Sequence, residues 1–275
     1  MQNPAFRNAA FQNGAQGTNT AVSAERLQEM YEQPAYQRPE TEPMTIQDSL
    51  LKSTLAFTIL IAGAVVGWIA VSAALQNATT TAPAMGIFIG AGLVALVLGF
   101  VNVFKREPSP ALILLFAAAQ GVLVGGISMF YEIMEPGIVF QAVLATLVVV
   151  GVTLALFASG KIRASKKATK IFLIVMVAYL AFSLINVVLM LTGAVDDPWG
   201  LRGSVTIFGI PLGVVLGLLA VLLGAYSLVL DFDFIQRGVR SGAPKRYGWT
   251  AAFGIMVTVV WLYLEILRLI AIARR

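Results

Sequence analysis

The residues of this chain that could do chemistry are the few ionisable groups set in or beside apolar runs. Asp231, Phe232 and Asp233 close one such run, and Glu265 and Arg268 stand three apart in the last one, with Thr258 seven residues before Glu265. An Asp, Lys or Arg at a helix centre in hydrocarbon costs ~2.5 to 3.5 kcal/mol on insertion scales, so such groups face a partner or water. Placed there, they can hold a cation loosely, take up a proton, or pair with each other. The chain has no cysteine and no histidine. That removes disulfides, thiol catalysis, Cys/His zinc sites, His-ligated haem and a Ser-His nucleophile.

The elements that position these groups are read from composition. Of 275 residues, 58% are hydrophobic and 12% charged, and the mean hydropathy is +0.83. This is an integral membrane protein by composition. The net charge of +5 lies in short loops, which fits the positive-inside rule rather than nucleic-acid binding, where one folded face would carry the basic stripe. Residues 1–43 are rich in Gln, Asn, Ala, Glu and Pro without a helical period, and are expected to be a disordered cytoplasmic tail. No basic segment and short apolar stretch precede a cleavage site, so a cleaved signal peptide is not expected. Residues 45–51 predict a short interfacial helix capped by Thr45, with Asp48 three residues on.

Residues 44–275 form the membrane domain, with seven apolar runs near 53–75, 84–104, 110–131, 138–159, 171–193, 205–230 and 249–271. Each approaches the ~20 residues that cross a bilayer core as helix. Eleven Lys and Arg residues follow the second, fourth and sixth runs, from Lys105 to Arg246, whereas the alternate loops hold Glu132, Glu135, Asp196, Asp197 and a single Arg202. The bias puts the N-terminus in the cytoplasm and the C-terminus outside. Arg274 and Arg275 then end on the unfavoured side, which leaves a partly re-entrant last helix open.

Small residues mark the faces on which helices meet. Gly213, Gly217, Ala220, Gly224, Ser227 and Asp231 recur at steps of four and three, as do Ala117, Gly121, Gly125, Ser128, Glu132 and Glu135. In lipid such faces let backbones approach closely, and ordinary packing is the plain explanation of both stripes. An acidic rim on a cation path is the alternative for Glu132 and Glu135. Gly254, Thr258, Trp261, Glu265 and Arg268 likewise share one face of the last run. Glu265 and Arg268 can therefore form a self-contained pair.

Asp231 ends the sixth stripe at what reads as the C-terminus of its helix. The negative end of the helix dipole and partial burial both work against an ionised carboxylate there, which makes Asp231 the candidate pH-responsive acid. Thr258 and Tyr226 are its expected donors. Asp233 points elsewhere and reads as a hydrated acid balanced by Arg237 and Arg240.

Asp231-Phe-Asp-Phe-Ile235 with Tyr226 before it, the basic turn from Pro244 to Tyr247, and the string from Trp261 to Leu269 resemble the signature end of the Bax inhibitor-like membrane family. The likeness continues through Met44 to Ser53, Phe116 to Gly121, and Gly160 to Arg163, and covers nearly the whole chain beyond the tail. It implies an all-α fold, a bundle of seven transmembrane helices with the last one central, in a bacterial plasma membrane or an intracellular eukaryotic one. It also implies a pH-sensitive calcium leak in which an acid near the end of the sixth span pairs with an acid in the seventh. The first falls on Asp231. The second falls on Thr258, so this chain carries one of the two acids. The family's acid and arginine of the second span are also absent, since residues 84–104 hold no charge.

The sequence thus points to a leak pathway or regulator of cation balance, with no cofactor, with membrane lipid around it and calcium or protons as its ions. Asp231, Asp233, Thr258, Glu265 and Arg268 are the candidate ion-path or pH-sensing residues. A scaffold or protease-binding regulator without transport, and a secondary transporter broken at Gly209 and Pro211, are the other readings. An enzyme is not expected, since no nucleophile and base occur together, and a retinal protein would need a lysine in the last span.

Overall fold

The structure, a computed structural model, describes residues 42–77 and 80–274. The tail expected over 1–43 falls, up to residue 41, outside the described residues. Glu42 and Pro43 are paired: Pro43 bridges Pro244, the Lys245 amide donates to the Glu42 carbonyl (2.8 Å), and the Met44 amide donates to the Ala243 carbonyl (2.7 Å). Met44 then enters a small core with Ile235, Ala251 and Ile255.

Among the described residues, seven helices are long and apolar enough to cross a membrane. They are α1 (Ile46–Asn77), α2 (Ala82–Phe104), α3 (Pro110–Met134), α4 (Ile138–Ala158), α5 (Lys166–Leu191), α6 (Leu212–Arg240) and α7 (Gly248–Ala273). The protein is an all-α, seven-helix membrane bundle, as expected. Three of its boundaries differ from the sequence reading, each for a physical reason.

The segment 45–51 is not a separate interfacial helix but the first turns of α1. Thr45 is its cap, its hydroxyl accepting from the Asp48 amide (3.0 Å). The helix runs on because Lys52 pairs with Asp48 one turn back and the Ser53 hydroxyl donates to the Ser49 carbonyl. At 32 residues α1 is ~48 Å long, more than the hydrocarbon core needs, so its first turns serve the interface.

The sixth span, expected from 205, begins at Leu212. Thr206–Ile207 pairs with Ile210–Pro211 in a two-stranded hairpin instead. Phe208 and Gly209 make its turn with φ of 52° and 81°, both in the left-handed region that tight hairpins require. Gly209 and Pro211 therefore precede the span and do not break it.

At its other end α6 continues to Arg240, so Asp231 is not at a helix C-terminus. Arg237 pairs with Asp233 one turn back, Ile235 is buried, and Arg237 and Arg240 complement the last turn. Asp231 stands more than two turns inside, where the negative end of the helix dipole does not reach it.

The three basic loops share one end of the bundle. α1 and α3 are held closest: a methyl group on Gly67, Gly121 or Gly125 would collide with the carbonyl oxygens of Val122, Leu60 and Ala64, and one on Gly63 would stand 2.6 Å from that of Ala118. The third-span stripe is thus helix packing, and Gly63 and Gly67 are its counterpart on α1. α2 and α5 have only 6% and 11% of their apolar windows inside the fold, whereas α7 has 61% and touches α1, α3, α4 and α6. α7 is a continuous 26-residue helix. Arg274 reaches Glu135 (3.6 Å) and Gln141 (2.8 Å) at the end away from the basic loops.

Candidate functional site

The small-residue face of α6 lies along α7. A β-carbon at Gly224 would meet Leu262, and one at Gly217 would meet Leu269. These glycines let large side chains of α7 sit against the α6 backbone, so the interface is tight and mainly apolar. One polar station interrupts it, and a second lies further along α7, toward α5.

The station nearer the basic loops is built from Ser227, Asp231, Gly254 and Thr258. The Thr258 hydroxyl donates to Asp231 Oδ2 (2.7 Å), and the Ser227 and Thr258 hydroxyls are 3.2 Å apart. Gly254 leaves room for the carboxylate, since a β-carbon there would stand 3.1 Å from Asp231 Oδ1. Asp231 is half-buried, and no ion pair to it is present among the described residues. Of its two expected donors Thr258 is the one used. Tyr226 turns to α5, meeting the Thr169 hydroxyl at 3.0 Å. Asp233 lies apart from this station and pairs with Arg237 (2.8 Å) at the surface.

The second station is seven residues further along α7, ~10 Å on the helical rise. Glu265 is 4% exposed. It accepts from Arg268 Nη1 on Oε1 (2.8 Å) and faces Arg202 Nη1 on Oε2 (3.5 Å). The pair is therefore not self-contained. Arg202, which in sequence is one charge in a loop, is 4% exposed, donates to the Ser183 hydroxyl (2.6 Å) and lies over the rings of Tyr179 and Phe182 at 5.2 and 5.8 Å.

The loop that brings Arg202 in is pinned to α5 by Asn186, which donates to the Trp199 carbonyl (3.2 Å) and accepts from the Leu201 amide (2.7 Å). Gly200 turns there with φ 63° against Asn186, a place a side chain could not share. Sequence reasoning missed Arg202. The available signal was its isolation, one cation in a loop otherwise acidic and flanked by Trp199 and Leu201.

Glu132 and Glu135 do not form a rim. Glu132 accepts from the Gly137 and Val139 amides (2.6 and 3.1 Å), capping α4, and Glu135 faces Arg274. Between the two stations Leu228 and Leu262 are fully buried. No three acids gather to hold a metal among the described residues. Asp231 brings one carboxylate with two hydroxyls nearby, short of the six to eight oxygens that a calcium site uses.

A cavity of about 340 Å³ lies beside the second station, between α5, α7 and the 198–202 loop. Its polar lining includes Ser183, Arg202, Glu265 and Arg268, opposite Leu180, Val187 and Trp261.

The model of the family described as Bax inhibitor 1 like fits residues 3–275, nearly the whole chain. No curated protein matches the chain.

Proposed function

The chain belongs to the Bax inhibitor 1 like family, and on that premise we propose that it is a pH-modulated cation leak whose responsive group is Asp231. The observation that carries this reading is a carboxylate held between α6 and α7 by a hydroxyl donor, with no ion pair to a Lys or Arg among the described residues. Ionised, it attracts a cation and holds Thr258; protonated, it loses the charge and alters the contact between the two helices. A single acid titrates less steeply than a coupled pair, so the response is shallow. One carboxylate with hydroxyl oxygens binds calcium weakly, which suits passage rather than storage.

The test is calcium flux across pH 5 to 8 in liposomes for the native chain, Asp231→Asn, Asp233→Asn and Thr258→Asp. Asp231→Asn should flatten the pH profile, Asp233→Asn should leave it, and Thr258→Asp should steepen it by supplying the second acid. No flux in the native chain, or flux indifferent to Asp231, would remove this reading.

A second reading, a membrane regulator that does not conduct, is favoured by the full burial of the apolar Leu228 and Leu262 between the stations. Under either reading we place the N-terminus on the cytoplasmic side of a bacterial plasma membrane. Single cysteines at Gln76, Lys167 and Ser241 can be labelled with an impermeant maleimide in intact cells. Only the one at Gln76 should react; strong labelling at Lys167 would reverse the orientation.

A further inference from the structure

The cavity beside Glu265 carries an unspent positive charge. Arg202 and Arg268 bring two cations to one buried carboxylate, and both oxygens of that carboxylate are already engaged. Asp197 approaches the same loop, where its Oδ1 accepts from the Trp199 amide (2.7 Å), but it does not line the cavity. A guest therefore finds donors here and no free acceptor on Glu265. A cationic or zwitterionic ligand is disfavoured, and an anion is favoured.

Two donors are available. The side chain of Arg268 is 32% exposed and commits Nη1 to Glu265, with the Tyr131 hydroxyl also beside it. Its planar fork presents five N–H donors, more than these two contacts use. Tyr179 is 4% exposed and lines the cavity, and its hydroxyl is buried without a hydrogen-bond partner. A buried hydroxyl left this way is costly, and a guest atom that accepts from it removes the cost.

Shape narrows the class of anion. At ~30 Å³ per water molecule, a cavity of 340 Å³ holds roughly eleven waters, which is a small organic molecule rather than a halide. Opposite the arginines the wall is apolar. Leu180 and Val187 of α5 are 55% and 49% exposed on the outer surface of the bundle, so the cavity borders the lipid-facing side.

We propose that this cavity binds a small amphiphilic anion, one carboxylate or comparable anionic head against Arg268 and Tyr179 with a short apolar body against α5 and Trp261. The head can belong to a free carboxylate or to an anionic lipid; the recognition chemistry is the same. Arg202 is a positioning residue in this arrangement, since Glu265, Ser183 and Tyr179 hold it in place.

Equilibrium binding of labelled hexanoate to the full-length protein in nanodiscs of zwitterionic lipid tests the proposal. Saturable binding should be displaced by unlabelled hexanoate and not by hexanol. Arg268→Gln should weaken it about tenfold or more, Arg268→Lys should restore part of it, and Tyr179→Phe should weaken it a few-fold while leaving the fold intact. Asp231→Asn should leave it unchanged, which separates this site from the proposed leak. In discs containing anionic phospholipid, loss of hexanoate binding identifies a lipid head as the occupant, and retained binding identifies the free carboxylate. Hexanol competing as well as hexanoate, or native affinity in both Arg268→Gln and Tyr179→Phe, would overturn the proposal.

Discussion

The two polar stations on α7 hold charge in opposite ways. At Glu265 the acid meets two arginines, of which Arg202 is held in turn by the Ser183 hydroxyl and the Tyr179 ring, and Glu265 and Arg202 are both drawn out of water. At Asp231 the acid accepts from one hydroxyl, that of Thr258, which in turn meets Ser227. The first arrangement is held by mutual charge, so any one of its members removed strands the others. The second is held by one neutral donor, so the carboxylate can lose its charge at small cost to its surroundings. Fixed charge suits an anchor, and a loosely held acid suits a switch.

Breaking the first station should give the largest effect. Glu265→Gln leaves two arginines without a counter-charge, one of them almost fully buried, and should cost about 3 to 5 kcal/mol of stability. Glu265→Gln combined with Arg268→Gln should recover only part of that, because Arg202 remains. A double-mutant cycle on unfolding in detergent or bilayer measures the coupling. Additive losses would show that the two side chains do not interact, against the 2.8 Å contact.

The second station should yield less. Thr258→Val removes the hydroxyl donor of a carboxylate and should cost about 1.5 to 3 kcal/mol, the range for hydrogen bonds to charged groups. In an Asp231→Asn background the same change should cost closer to 1 kcal/mol, since the bond is then between neutral groups. Equal costs in the two backgrounds would mean that Asp231 is already neutral or that the contact with Thr258 carries no energy, and the comparison between the stations would lose its basis.

What could be read from the sequence follows the same division. The seven helices and the small-residue stripes were legible because each is a matter of helical period, where steps of three and four fix a face; the donor to Asp231 was open between Thr258 and Tyr226, and packing against α5 takes Tyr226 away. Gly63 and Gly67 obey that period too, but their role appears only against Gly121 and Gly125 on another helix. Arg202 was not legible in this way. It reaches Glu265 across 63 positions through a loop set by Asn186, Gly200 and a hairpin, and no local pattern encodes that path. The continuation of α6 to Arg240 was missed for a different reason. Two acids and a basic turn read as a helix end, while the pairing of Asp233 with Arg237 and the burial of Ile235 carry the helix through.

The smallest effect should come from Asp233, and it tests whether two acids so close in sequence differ because of where they face. Two residues along a helix turn a side chain by about 200°, so Asp233 points away from the face on which Asp231 meets Thr258. Its partner Arg237 is 68% exposed, and an exposed pair one turn apart contributes about 0.3 to 0.5 kcal/mol, less in salt. Asp233→Asn should therefore change stability by no more than that, the change should shrink as salt is raised, and calcium flux should keep its pH profile. Unfolding of the variant at low and high salt, beside the flux measurement, checks both parts. A loss above ~1 kcal/mol that persists in salt would mean that Asp233 is held as firmly as the buried group. A changed pH profile would mean that position on α6, rather than contact with α7, makes an acid responsive.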